Sequence, residues 1–175
     1  MEIRSILLIV TSLTAVIGIA IVNYVFIVSL YPSETVKNER ILRVDIQSIP
    51  LDGYRLFKWR KKLVLVFRPG KQSVDYLIKT NPIANGMDFD ESSIPKIFAY
   101  ERISTYKGCA LYDASNNEYF RSKYQGWYDP CHMGFWDFSG RYLPGVNAPN
   151  DTSLPNLKPV NEYRWVSNTE VEFRP

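Results

Sequence analysis

The chain has 175 residues, enough for one domain and an appendage, and its 46% hydrophobic and 14% aromatic content suits a folded, loop-rich body. A net charge of +3 is too small to point to nucleic acid. The single histidine, His132, excludes a His-rich hydrolytic metal site.

From Ile6 to Leu30 there is no charged residue. The run outlasts the roughly 7–15 apolar residues of a signal peptide, and at about 1.5 Å per residue it crosses a hydrocarbon core of about 30 Å. It predicts an uncleaved membrane anchor. Tyr31 to Arg40 is polar and aperiodic and reads as a tether. From Ile41 onward, short alternating stretches separated by turn residues predict strands: Ile41–Ile46, then a turn at Ile49–Gly53, then a hairpin of Tyr54–Trp59 with Lys62–Arg68. The basic cluster Lys58-Trp-Arg-Lys-Lys62 is read as the solvated hairpin tip, with a lipid-headgroup or partner contact as the alternative. Pro69-Gly70 supplies another turn. Ser73–Thr80 fits a short helix or a strand, and Asn81–Ser93 a loop. Ile97–Tyr100 predicts a strand, and Tyr163–Ser167 and Thr169–Phe173 a closing pair around Asn168. With no long amphipathic helix after residue 31, the body is expected to be all-β. Asp88-Phe-Asp-Glu-Ser92 lacks the glycine and ligand spacing of a calcium loop.

Two segments hold both cysteines and the histidine: Ser104-Thr-Tyr-Lys-Gly-Cys109 and Asp129-Pro-Cys-His-Met-Gly134. In order and spacing they resemble the cluster loops of the Rieske iron–sulfur family, the iron–sulfur subunit of the cytochrome bc1 complex. Those loops read C-x-H-x-x-C and C-x-x-H and hold a two-iron cluster by two Cys and two His. Ser104 and Asp129 stand at the Cys ligand positions, Tyr106 at one His position, and only His132 retains its type. Further matches are Lys58–Val64 for a K-W-R-G-K-P-V-like segment, Trp136–Arg141 for Y-D-x-S-G-R, and Asn156–Pro159 for N-L-x-x-P. The family's G-P-A-P loop is stretched to Gly145–Pro149.

The resemblance implies a Rieske-type head on an N-terminal helix: anchor 1–30, tether 31–40, a base subdomain of 41–98 and 142–175, and an inserted cluster-binding-like subdomain of 99–141. It also implies a disulfide between Cys109 and Cys131, and therefore an oxidising side. The head is then expected in the periplasm on an inner membrane, or in the mitochondrial intermembrane space, because Arg4 against Lys37, Arg40 and Arg43 leaves the positive-inside rule undecided.

The departures carry the functional expectation. A hydroxyl, a phenol and a carboxylate replace soft thiolate and imidazole donors. The family's supporting Gly-Ser and Tyr positions hold Met133, Gly134 and Trp136. A single N-terminal arginine, Arg4, fits a head that crosses the membrane unfolded and without cofactor. The expectation is no cluster and a structural or accessory role in a membrane complex, plausibly respiratory, with the membrane and other subunits as partners and no quinone contact; whether the chain is an enzyme is left open. Two alternatives stand beside it: an electron-transferring 2Fe-2S subunit of a quinol:cytochrome c oxidoreductase, and an independent periplasmic binding module. His132 is expected to be hydrogen-bonded or solvent-facing. A zinc site of Cys109, Asp129, Cys131 and His132 is chemically reasonable only with both thiols reduced. A Ser-His-Asp triad has no G-x-S-x-G support. Trp127, Tyr128, Phe135 and Trp136 are assigned as core or as a docking surface.

Overall fold

The structure is a computed structural model that describes residues 3–31, 41–120, 123–146 and 154–174. The chain divides into two units, residues 1–39 and 40–175.

The first unit is the helix α1, Ile3–Leu30, none of whose residues is buried. Its 28 residues span about 42 Å, long and apolar enough to cross a membrane. Four of its polar side chains bond within the helix: Thr11 Oγ1 donates to Leu7 O, Thr14 Oγ1 to Val10 O, Asn23 Nδ2 to Ile19 O and Ser29 Oγ to Phe26 O. That arrangement suits an apolar solvent, where no water can satisfy them. The expected tether lies, from residue 32 to 40, outside the described residues.

The second unit is built on three three-stranded antiparallel sheets. The middle one joins β2 (Gly53–Trp59), β3 (Lys62–Arg68) and β4 (Phe98–Glu101) in that order. The expected hairpin pairs Gly53 with Arg68 through Trp59 with Lys62, which leaves a two-residue turn. Arg60 and Lys61 occupy it at φ 51° and 63°, the left-handed backbone that a tight hairpin turn demands.

β3 is apolar on both faces, and the cores explain why. Val64 and Val66 point into one core with Val44, Val171 and Phe173. Leu65 and Phe67 point into another with Trp127, Trp136 and Leu77. β4 repeats the alternation, Ala99 to the first core and Phe98 and Tyr100 to the second. The middle sheet is thus covered on one face by β1 (Leu42–Asp45), β9 (Glu170–Phe173) and β8 (Tyr163–Trp165), in the order β1-β9-β8. Its other face carries β5 (Tyr112–Asp113), β6 (Trp127–Asp129) and β7 (Gly134–Trp136).

Ser73–Thr80 resolves as helix, within α2 (Lys71–Thr80). Its amino end is capped from another loop: Asp52 Oδ1 accepts from Gly70 N and Ser73 N, both at 2.9 Å. Burial raises the Asp52 pKa, but the hydrogen bonds from Ser73 and Gly70 outweigh it and hold the carboxyl below its ordinary value. Between β8 and β9 the turn is wider than Asn168 alone, covering 166–169, with Ser167 Oγ accepting from Thr169 N and Glu170 N. The all-β expectation holds for the head, with α2 and two short 3-10 turns added among the described residues.

Candidate functional site

The two singled-out segments sit beside each other at the edge of the β5-β6-β7 sheet. Asp129 pairs with Gly134, so Pro130-Cys-His-Met133 is a four-residue loop between β6 and β7, with Met133 at φ 59°. The first segment is a loop closed by Ser104 N donating to Cys109 O at 2.7 Å and by the Ile103–Ala110 bridge. Lys107 and Gly108 turn it at φ 54° and 70°. Cys109 and Cys131 are joined in a disulfide with a Cα–Cα distance of 6.3 Å, and it links the two loops. In the chain-entropy view this closure contributes about 3 kcal/mol.

Asp129 is the hub of the second loop. Its side chain is 0% exposed; Oδ1 accepts from Cys131 N at 2.7 Å and His132 N at 3.2 Å, and Oδ2 lies 3.0 Å from His132 Nδ1. Ser104 is 2% exposed, and its Oγ accepts from Tyr106 N at 3.1 Å. The Tyr106 ring stands edge-on to the His132 ring with centroids 5.0 Å apart. His132 keeps a side chain 25% exposed. Of the four ligand positions, then, two hold oxygens engaged in turn formation, one holds a phenol packed on the imidazole, and one holds an imidazole bonded to a carboxylate. This donor set does not fit a cluster that needs two thiolates on one iron and two imidazoles on the other.

The expected docking role of the aromatics requires correction. Trp127 is 1% exposed, Phe135 1% and Trp136 0%, because Trp127 and Trp136 point into the core shared with the middle sheet and Phe135 into a separate core on the other face. They offer no surface to a partner. Tyr128 is half-buried against Phe120 and Tyr112. Trp136 Nε1 donates to Pro155 O at 3.0 Å, and Thr105 Oγ1 donates to Pro155 O and Asn156 O at 3.1 Å each. The segment 155–156 therefore straps the first loop to β7.

A second polar hub was not identified as such from the sequence. Asp137 Oδ1 accepts from Ser139 N, Ser139 Oγ and Arg141 N, and Oδ2 accepts from Arg141 Nε at 2.8 Å. The buried Arg141 guanidinium then reaches Asn81 Oδ1 at 2.6 Å, Met87 O at 3.0 Å and Leu77 O at 2.8 Å, and stacks on Phe89. A cation beside the last carbonyls of α2 complements the helix end. Burial raises the Asp137 pKa, and the Arg141 charge only partly offsets it. The signal was the Asp-Phe-Ser-Gly-Arg run of residues 137–141, noticed as a family match and not as a brace.

No protein-family model matches the chain. Among curated proteins it is similar to the cytochrome b-c1 complex subunit Rieske-1 of Arabidopsis thaliana, 28% identical over 142 residues, covering 79% of this chain and 49% of that protein. The corresponding Rieske subunit of Neurospora crassa is 26% identical over 117 residues, covering 65% and 48%. The chain spans about half the length of the curated relatives it matches. Among solved structures, a chain of a hyperthermophilic respiratory Complex III superposes with a TM-score of 0.50 at 18% identity, covering 93% of this chain and 96% of that one, a likeness of fold. Over most of its length the chain is similar to the Rieske subunits of the cytochrome b-c1 complex, at 26–28% identity.

Proposed function

We propose that the chain is a single-pass subunit of a respiratory membrane complex whose Rieske-type head carries no 2Fe-2S cluster and serves a structural role. The observation that carries this reading is the state of Asp129: at a thiolate ligand's position, its carboxylate is buried and both oxygens are engaged with Cys131, His132 and the loop backbone. Ser104 Oγ is likewise turned to its own loop. The disulfide takes over the task of clamping the two loops, and its presence supports a head on the oxidising side of the membrane. α1 supplies the anchor. Within this reading residues 1–30 are the anchor, 31–40 the tether, 41–98 and 142–175 the base, and 99–141 the former cluster-binding part.

Electron transfer from quinol asks for the ligand set that these positions no longer hold. The independent binding module loses its motive once Trp127, Phe135 and Trp136 are buried. Purification of the tagged full-length chain in mild detergent tests the subunit role. A defined, stoichiometric set of membrane proteins is expected to travel with it through size exclusion, and a chain that elutes alone overturns it.

A further inference from the structure

We propose that Cys109, Cys131 and Asp129 form a thiol-gated site for a zinc-like divalent cation, closed while the disulfide stands and opened by its reduction. The two sulfurs and a carboxylate oxygen of Asp129 all lie within 4.8 Å of one another. Two thiolates and a carboxylate are ligands that tetrahedral zinc takes, and bonds of about 2.3 Å to sulfur and about 2.0 Å to oxygen place such ligands roughly 3.3–3.8 Å apart. That spacing lies inside the span the three ligand atoms already share, so the two loops bring the donors within reach of one ion once the S–S bond is broken.

The third ligand is already fixed. Cys131 N and His132 N hold Asp129 Oδ1, and His132 Nδ1 sits 3.0 Å from Oδ2. Ligating carboxylates are themselves held by hydrogen bonds, so His132 acts here as a positioning residue. The fourth position is left to water. Access is direct, because Cys131 is exposed and Cys109 only half-buried. The sulfurs used are those of the loop-linking disulfide and not the positions at which the Rieske family holds iron.

Opening needs a dithiol as reductant. It gives two electrons and two protons to the Cys109–Cys131 bond, which breaks into two thiols, and is itself oxidised to a disulfide. Binding the cation then releases the two thiol protons to solvent.

The test is a cobalt(II) titration of the full-length chain in detergent, first oxidised, then reduced with a dithiol and desalted without oxygen. The reduced chain is expected to take one cobalt with thiolate charge-transfer and tetrahedral visible bands that zinc displaces, and the oxidised chain none. His132→Ala is expected to weaken binding about tenfold. A reduced chain that takes up no cobalt, folded or not, overturns the proposal. So does a charge-transfer band that survives unchanged in Cys131→Ser. The iron content of the native chain is independent of either outcome.

Discussion

Asp129 and His132 are joined side chain to side chain, Oδ2 to Nδ1 at 3.0 Å, while the other carboxylate oxygen gathers the backbone N–H groups of Cys131 and His132. Two positions that would hold the two irons of a common cluster in the Rieske family instead hold each other. The aspartate organises the loop from within, as the iron would have done from outside.

That role makes Asp129 a stability determinant. Asp129→Ala leaves two N–H groups of the loop without their acceptor and is expected to cost about 2–4 kcal/mol in urea unfolding. Asp129→Asn keeps one acceptor oxygen and is expected to recover part of the loss. A cost for Asp129→Ala no larger than that for His132→Ala contradicts the hub.

Arg141 is expected to be the most costly surface-remote charge to remove. Arg141→Ala strands the buried Asp137 carboxylate, and breaking such a pair costs about 3–5 kcal/mol. Arg141→Lys is expected to rescue little, since an ammonium cannot fork to Asp137, Asn81 and Leu77 together. The pH dependence has a definite sign. A carboxyl whose folded pKa is raised adds stability below its ordinary value of 3.8 and loses it as pH rises through the folded value. Without Arg141 the folded value of Asp137 rises further, so the deficit of Arg141→Ala should grow once pH passes the wild-type folded value, which lies above 3.8. Unfolding midpoints measured across pH that show a constant deficit contradict this.

Asp52 works in the opposite sense. Its folded pKa is depressed, so its contribution is present above the ordinary value of 3.8 and is lost as pH falls through the folded value. Asp52→Ala is expected to cost about 1 kcal/mol at neutral pH, as loss of a helix cap does. The difference from wild type should shrink in acid, which thermal melts of both chains at a series of pH values measure.

Gly126 is a steric checkpoint at the end of the β6–β7 pair opposite the second loop. Its φ is +145°, and a Cβ there would lie 2.1 Å from Trp136 O, a backbone atom of the facing strand. Gly126→Ala is expected to lose about 3 kcal/mol or more. Weakened near-ultraviolet circular dichroism should accompany it, because Trp127 and Trp136 pack in the core alongside. A substituted chain with wild-type melting contradicts the close approach.

The hairpin and the terminal strand pair were legible in the sequence because Tyr54–Trp59, Lys62–Arg68 and Thr169–Phe173 are long enough to show a period and are bounded by turn residues. α2 was ambiguous for a physical reason: Val74, Tyr76 and Ile78 alternate as a strand would, while Ser73, Leu77 and Thr80 recur as a helix requires, and only the latter three are buried. The strands of the β5-β6-β7 sheet have two or three residues each, too few for any period. Composition identified an aromatic second loop but not its direction. Burial of Trp127 and Trp136 depends on Leu65 and Phe67 on the middle sheet, a contact across some sixty residues of chain. The cysteine pair and the altered ligand positions were readable through family resemblance. The commitment of Asp129 and Ser104 to their own loops required coordinates.

The account turns on whether the head holds iron. Iron per chain, measured together with low-temperature electron paramagnetic resonance of the ascorbate-reduced complex purified from its native membrane, answers this directly. The account predicts iron far below two atoms per chain and no Rieske-type signal from this subunit. Two irons per chain with that signal, retained in a preparation lacking any other Rieske protein, would contradict it.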